Sequence, residues 1–123
     1  MAKILIADDS MFMRKVLRDI LTNKSADTYD IVEADSGAST LKQFKKQKPD
    51  LVLLDIIMPG GKEEGVSTLR RILEADPGAR VVMVTAVGQD AVIEECMELG
   101  ARGYVVKPFR DEQVLEVVHE QLS

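Results

Sequence analysis

One cysteine, one histidine and no tryptophan occur in 123 residues. A single thiol excludes an internal disulfide, and no Cys/His set has the spacing of a zinc site. Cys96 stands beside Met97 in a helical pattern, where a packed thiol is expected rather than a reactive one. No apolar run approaches the length of a spanning helix, and the opening Met1–Ala7 reaches Asp8 and Asp9 too soon for a signal peptide. Basic excess is lacking as well: 21 acidic against 16 basic residues give a formal charge of −5. That balance speaks against a general nucleic-acid surface, because phosphate contacts need clustered Lys and Arg. There is no linker, low-complexity tract or repeat beyond a βα unit. A single domain over residues 1–123, with a cytoplasmic location and no membrane association, is expected.

What is present is an alternation of two hydrophobic periods. The segments Leu51–Asp55, which suits burial on both faces, and Ile4–Ala7 read as buried strands, and Arg80–Val84 and the short Gly103–Val106 as further strands. Tyr29–Ala34 alternates and reads as an edge strand. Between them run helical stripes: Met13, Val16, Leu17, Ile20 and Leu21, then Ala38, Leu41 and Phe44 behind an Asp35–Ser36 cap. Val66, Leu69, Ile72 and Leu73 mark a third helix, and Val92, Ile93, Cys96 and Met97 a fourth that stops at Gly100. Val114, Val117, Val118 and Leu122 mark the fifth. Ile56–Gly65, with Pro59, Gly60 and Gly61, reads as a loop. Five βα units predict an α/β fold with right-handed crossovers and helices on both faces. Of the two common doubly wound orders, 2-1-3-4-5 fits five strands.

A parallel sheet delivers every strand to the same edge. There stand Asp8 and Asp9 after the first strand, Asp55 after the third, Thr85 after the fourth and Lys107 after the fifth. Each has a plain structural explanation alone: a helix cap, a turn residue, a β-branched strand end, a solvated lysine. Together they conflict, since two like charges about 4 Å apart repel by roughly 4 kcal/mol at an effective dielectric of 20. Lys107 offsets one unit. A hard divalent cation with oxygen ligands answers the rest, and Mg²⁺ usually shares its shell with phosphate. The chemistry implied is phosphoryl transfer with Asp55 as nucleophile and Thr85 as hydrogen-bond donor.

Asp8–Asp9, Asp55, Met58–Pro59, Thr85–Ala86 and Lys107–Pro108–Phe109 resemble the receiver domain of bacterial two-component response regulators over essentially the whole chain. Asp9 to Arg14 and Gly88–Gln89 resemble, more weakly, the stand-alone chemotaxis regulators of CheY type. The resemblance implies a flavodoxin-like, CheY-like fold and a signalling switch rather than a turnover enzyme. It implies phosphorylation of Asp55 by a phosphohistidine on a sensor histidine kinase. Mg²⁺, with Mn²⁺ as a substitute, would be held by Asp9, Asp55 and the backbone carbonyl of Ile57, with Asp8 reaching it through water. Lys107 would pair with the phosphoryl group across a cis Lys107–Pro108 bond. Thr85 and Tyr104 would move together and reshape the face of helix 4, strand 5 and helix 5. The implied partners are the kinase, a flagellar motor switch or an adaptor to it, and a phosphatase, met by a monomer. Were 123 residues the whole protein, output would be by non-covalent binding alone.

Other classes fit less well. A haloacid-dehalogenase-type phosphohydrolase places its nucleophile after the first strand, where Asp9–Ser10–Met11 does not match. A flavodoxin relative needs a phosphate loop where Asp8–Asp9 would repel the phosphate. A receiver that only binds partners has no need of Asp9, Asp55, Thr85 and Lys107 together, and a phosphorelay intermediate outside chemotaxis stays open.

The chain departs from the family pattern after Pro59, where the loop is about two residues longer, an insertion of small thermodynamic cost. Either it is a tolerated surface insertion or it alters contact with a kinase or phosphatase. Ile57 and Val87 are apolar where, in receivers, side chains flank the path of the hydrolytic water. An apolar pair there predicts slow spontaneous dephosphorylation. In Ile57→Asn with Val87→Glu, decay of the phosphorylated protein should accelerate, because polar side chains there can orient the water. A lifetime unchanged in that variant would sink the prediction.

Overall fold

The apolar runs Ile4–Ala7, Leu51–Leu54 and Val81–Thr85 become strands covered on both sides, whereas Gly103–Val106 is only partly covered. The computed structural model describes residues 1–123, the side chain of Lys62 excepted. Strands β1 (Lys3–Ala7), β2 (Asp30–Ala34), β3 (Leu51–Leu54), β4 (Val81–Thr85) and β5 (Gly103–Val106) alternate with five helices. These are α1 (Met11–Asn23), α2 (Gly37–Gln47), α3 (Lys62–Ala75), α4 (Asp90–Leu99) and α5 (Asp111–Leu122). All pairings are parallel, in the expected order β2-β1-β3-β4-β5. Tyr29–Ala34 lies at an edge, as its alternation implies.

Successive strand residues feed opposite cores. Ile4, Ile6, Leu51, Leu53, Val82 and Val84 pack against Leu17, Ile20 and Leu21 of α1 and Val114 and Val118 of α5. Leu5, Val52, Leu54, Val81 and Met83 pack against Phe44 of α2, Leu69 and Ile72 of α3 and Cys96 of α4. Cys96 is fully buried, and burial pushes its thiol up to about 11, so it is a packing residue. Ser10 caps α1 by accepting from the Met13 amide, and Ser36 with Ser39 closes a capping box on α2.

The register sets the site. Ala7 is level with both Ala34 and Leu54, so Asp8 and Asp55 emerge side by side. Thr85 is level with Val106, so Lys107 emerges one step beyond it. The ladder runs one bond past the strand ends: the amides of Asp8, Asp55 and Lys107 donate to the carbonyls of Ala34, Ala7 and Thr85 at 3.0, 2.9 and 2.8 Å.

One expectation is corrected. Ile56–Gly65 is not all loop, because α3 begins at Lys62 and includes Glu63, Glu64 and Gly65. After Pro59 the chain makes a tight turn, with Gly61 donating to the Met58 carbonyl at 2.9 Å and Gly60 and Gly61 at φ of 110° and 104°. Glu63 and Glu64 in the first turn complement the positive end of the helix dipole, which a loop composition conceals.

Gly65 is held by close approach rather than by its backbone angles. A Cβ there would lie 2.2 Å from Ile56 Cα and 2.2 Å from Ile56 O. Gly65→Ala should therefore destabilise the chain by about 1–3 kcal/mol, read as a lower urea midpoint. Gly78→Ala, where a Cβ meets only Asp76 Oδ1 at 3.4 Å, should leave the midpoint nearly unchanged.

Candidate functional site

Asp8, Asp9 and Asp55 each present a carboxylate oxygen such that all three lie within 4.8 Å of one another. Asp8 and Asp55 are buried, whereas Asp9 is exposed at the mouth. The two buried carboxylates are held alike. Asp8 Oδ1 accepts from the Ser10 amide at 2.9 Å, and Asp55 Oδ1 accepts from the Ile57 amide at 3.2 Å. Their Oδ2 atoms accept from one Lys107 Nζ, at 2.8 Å for Asp8 and 3.1 Å for Asp55. The crevice thus brings three carboxylates against one ammonium.

Burial raises the Asp8 carboxyl above its ordinary value, and the hydrogen bonds from Lys107 and Ser10 only partly oppose it. Burial also tends to lower Lys107, but the hydrogen bond to Asp8 and the charge of Asp55 outweigh it and hold the ammonium above the ordinary lysine value. The rise at Asp8 is thus the work of burial, and the rise at Lys107 that of the two carboxylates that share it. Ionised Lys107 therefore contributes stability that is fully present below the ordinary lysine pKa and lost as pH rises through its raised folded value.

Thr85 is fully buried at the end of β4, and its Oγ1 accepts from the Val87 amide at 3.3 Å. The Tyr104 hydroxyl donates to the Val87 carbonyl. Burial, then the charges of Cys96 and Asp55, push the phenol up to about 12, so it remains a donor. Val87 joins the two residues: its N–H engages Thr85 and its C=O engages Tyr104. Ile57 is 40% exposed beside Asp55, and Val87 is buried. The Lys107–Pro108 bond is cis.

The contacts of Arg14 escaped the sequence reading, where it stands only within the stretch Asp9 to Arg14. Its guanidinium donates to the Asp8 carbonyl at 2.7 Å and to Glu33 Oε1 at 2.9 Å, while Arg18 donates to Glu33 Oε2 at 2.8 Å. Burial tends to raise the Glu33 carboxyl, but Arg18 and Arg14 together hold it below its ordinary value. No local signal reports this clamp, because it exists only once β2 lies beside β1.

The donor set is all hard oxygen, with a formal surplus of two negative charges once Lys107 is counted. That set suits a hard divalent cation rather than a soft one. A parallel doubly wound sheet with an acidic, lysine-bridged crevice at its switch point defines a CheY-like α/β protein. The chain is a member of the response regulator receiver domain family, whose model matches residues 4–119.

It is 36% identical over 121 residues to the chemotaxis protein CheY of Bacillus subtilis, covering 98% of each chain. It is 35% identical over 120 residues to sporulation initiation phosphotransferase F of the same organism, covering 98% of this chain and 93% of that one. Among solved structures, the CheX–CheY–BeF3–Mg²⁺ complex of Borrelia burgdorferi superposes with a TM-score of 0.89 at 34% identity, covering 99% and 90% of the two chains. Receiver domains are the phosphoryl-accepting, signalling parts of two-component systems, and an acidic cluster is where they bind Mg²⁺.

The raised Asp8 carboxyl carries a sign. The folded chain holds this proton more tightly than the unfolded chain, so ionised Asp8 subtracts stability at neutral pH, and the deficit fades as pH falls through the folded value. In metal-free buffer, Asp8→Asn should have a higher urea midpoint than the parent at neutral pH. The difference should shrink as pH falls toward about 4; a midpoint lowered at every pH would contradict it.

Proposed function

We propose that residues 1–123 form a single receiver domain that acts as a phosphorylation-dependent switch, with Asp55 as the phosphoacceptor. The observation that carries this reading is the cluster of Asp8, Asp9 and Asp55 around one Lys107 ammonium. An Asp55 carboxylate oxygen attacks phosphorus, an O–P bond forms, and the P–N bond of a sensor kinase phosphohistidine breaks, returning the imidazole. Asp9, Asp55 and the carbonyl of Ile57 would hold Mg²⁺, or Mn²⁺ in its place, with Asp8 linked through water. The ion when bound offsets charge on the phosphoryl oxygens. Lys107 pairs with the phosphoryl group from the side where it now bridges Asp8 and Asp55.

Thr85 supplies the response. Its Oγ1 accepts from Val87, and its own O–H has no acceptor among the described residues, leaving that hydrogen for a phosphoryl oxygen. Because Val87 also binds Tyr104, a shift of Thr85 is felt at β5. The surface of α4, β5 and α5, where Met97 and Val106 are exposed, then presents the signal to a partner. Similarity to CheY supports a monomeric chemotaxis regulator that meets a flagellar motor switch or adaptor and a phosphatase. The CheX–CheY complex supports a partner of CheX type. No helix among the described residues is long and apolar enough to cross a membrane, which suits a cytoplasmic protein. A phosphorelay role outside chemotaxis is favoured by one observation, the nearly equal identity to the sporulation phosphotransferase.

Incubation with acetyl phosphate and Mg²⁺ should add one hydroxylamine-labile phosphoryl group, seen by intact mass. Asp55→Ala should add none, and chelation of the metal should suppress labelling of the parent chain. Labelling that survives Asp55→Ala, or none from any phosphodonor, would overturn the assignment.

A further inference from the structure

A cleft of about 500 Å³ opens between α3 and α4, beside the acidic crevice but outside it. Its floor is apolar, made by Ile56, Val66, Val87 and Val92, and Glu63 and Glu95 stand on its rim. That volume lies within the range of sites that take a ligand or a few partner side chains. Among the described residues, neither Glu95 nor Arg70, which also lines the cleft, forms an ion pair.

The charge around this cleft is not evenly spread. Residues 1–89 carry thirteen acidic and thirteen basic side chains, whereas residues 90–123 carry eight acidic and three basic. The entire formal charge of −5 therefore belongs to α4, β5 and α5 and their connections. One of the three bases, Lys107, is already engaged by Asp8 and Asp55. Helix α4 itself holds Asp90, Glu94, Glu95 and Glu98 and no base. Arg70 is the one base lining the slot among the described residues, against Glu63 and the four acids of α4, Glu95 among them, so the field beside it is predominantly acidic and selects a basic partner.

We propose that the α3–α4 cleft is a docking site for a basic amphipathic segment of a partner protein. An apolar side chain of the segment rests on Val66, Val87 and Val92, and its lysines or arginines pair with Glu63, Glu95 and the acidic face of α4. This surface differs from the one exposing Met97 and Val106. On a helix of 100° per residue, Val92 and Glu95 fall on the α3 side of Cys96, and Met97 falls on the side of β5. Val87 is floor to the cleft and also the link between Thr85 and Tyr104. Docking is thus coupled to the state of Asp55, and by linkage the coupling is reciprocal. That coupling rests on the switch proposed above; the docking itself does not.

The test is a titration of the isotopically labelled full chain with a synthetic leucine–lysine amphipathic peptide, followed by amide NMR shifts. A leucine–glutamate peptide serves as control. The amides of Val66, Arg70, Val92 and Glu95 should shift saturably with the lysine peptide alone. Ser67→Trp, which fills the cleft, should abolish the effect. Glu63→Lys with Glu95→Lys, at exposed positions, should weaken Kd by about tenfold or more, while Met97→Ala should not. Shifts confined to Met97 and Val106, or undiminished binding in both the filled and the charge-reversed variants, would overturn the docking site. Beryllofluoride with Mg²⁺ should change Kd several-fold, and an unchanged Kd would overturn the coupling. Acetyl phosphate labelling of Asp55 in the same variants reports the switch separately, so the two failures are distinguishable.

Discussion

A single ammonium between two buried carboxylates is the constraint on which this molecule turns. Lys107 comes from β5 and reaches across β4 to Asp8 after β1 and Asp55 after β3. Without it, two anions would lie out of water at the carboxyl edge of the sheet, where breaking a buried pair typically costs about 3–5 kcal/mol. The sheet order is what allows the bridge, since only β1 and β3 as neighbours bring the two carboxylates to one point. Electrostatics and topology here are one problem with one solution.

The bridge is also incomplete, and the incompleteness is chemically useful. One positive charge cannot satisfy three carboxylates, and burial keeps Asp8 reluctant to ionise. The crevice is therefore electrostatically unsaturated and suits a cation, and in the function proposed above a phosphoryl group would alter the same balance. On its far side, Thr85, Val87 and Tyr104 form a short relay whose middle member is backbone. A backbone link suits a switch, because it moves with its loop and depends little on which side chain Val87 carries.

Much of this was legible in the sequence because burial on both faces leaves a plain trace. Leu51–Leu54 has no polar interruption, and Asp55 ends it abruptly. The convergence of Asp8, Asp9, Asp55, Thr85 and Lys107 follows from parallel strands sharing an edge, and the strand order from the fold class, since five strands fit one of the two common doubly wound orders. What stayed hidden depends on packing between segments distant in sequence. Arg14 reads as an ordinary helix arginine until Glu33 lies beside it. The start of α3 was obscured because Gly65 in its first turn looks like a loop residue, whereas it is there to let Ile56 pass close by. The carbonyl of Val87 is invisible in principle, since sequence patterns describe side chains.

The ladder that extends one bond past β1, β3 and β5 has a consequence for how the molecule breathes. The amides of Asp8, Asp55 and Lys107 are tied into the sheet as firmly as those of the core strands. Exchange of their hydrogens with solvent should require the opening of the sheet itself rather than fraying of a loop. The backbone of the candidate site thus belongs to the last part of the protein to melt. In the function proposed above, the phosphoryl group would therefore arrive on backbone held by the sheet, and the response would lie with the side chains and loops beyond it.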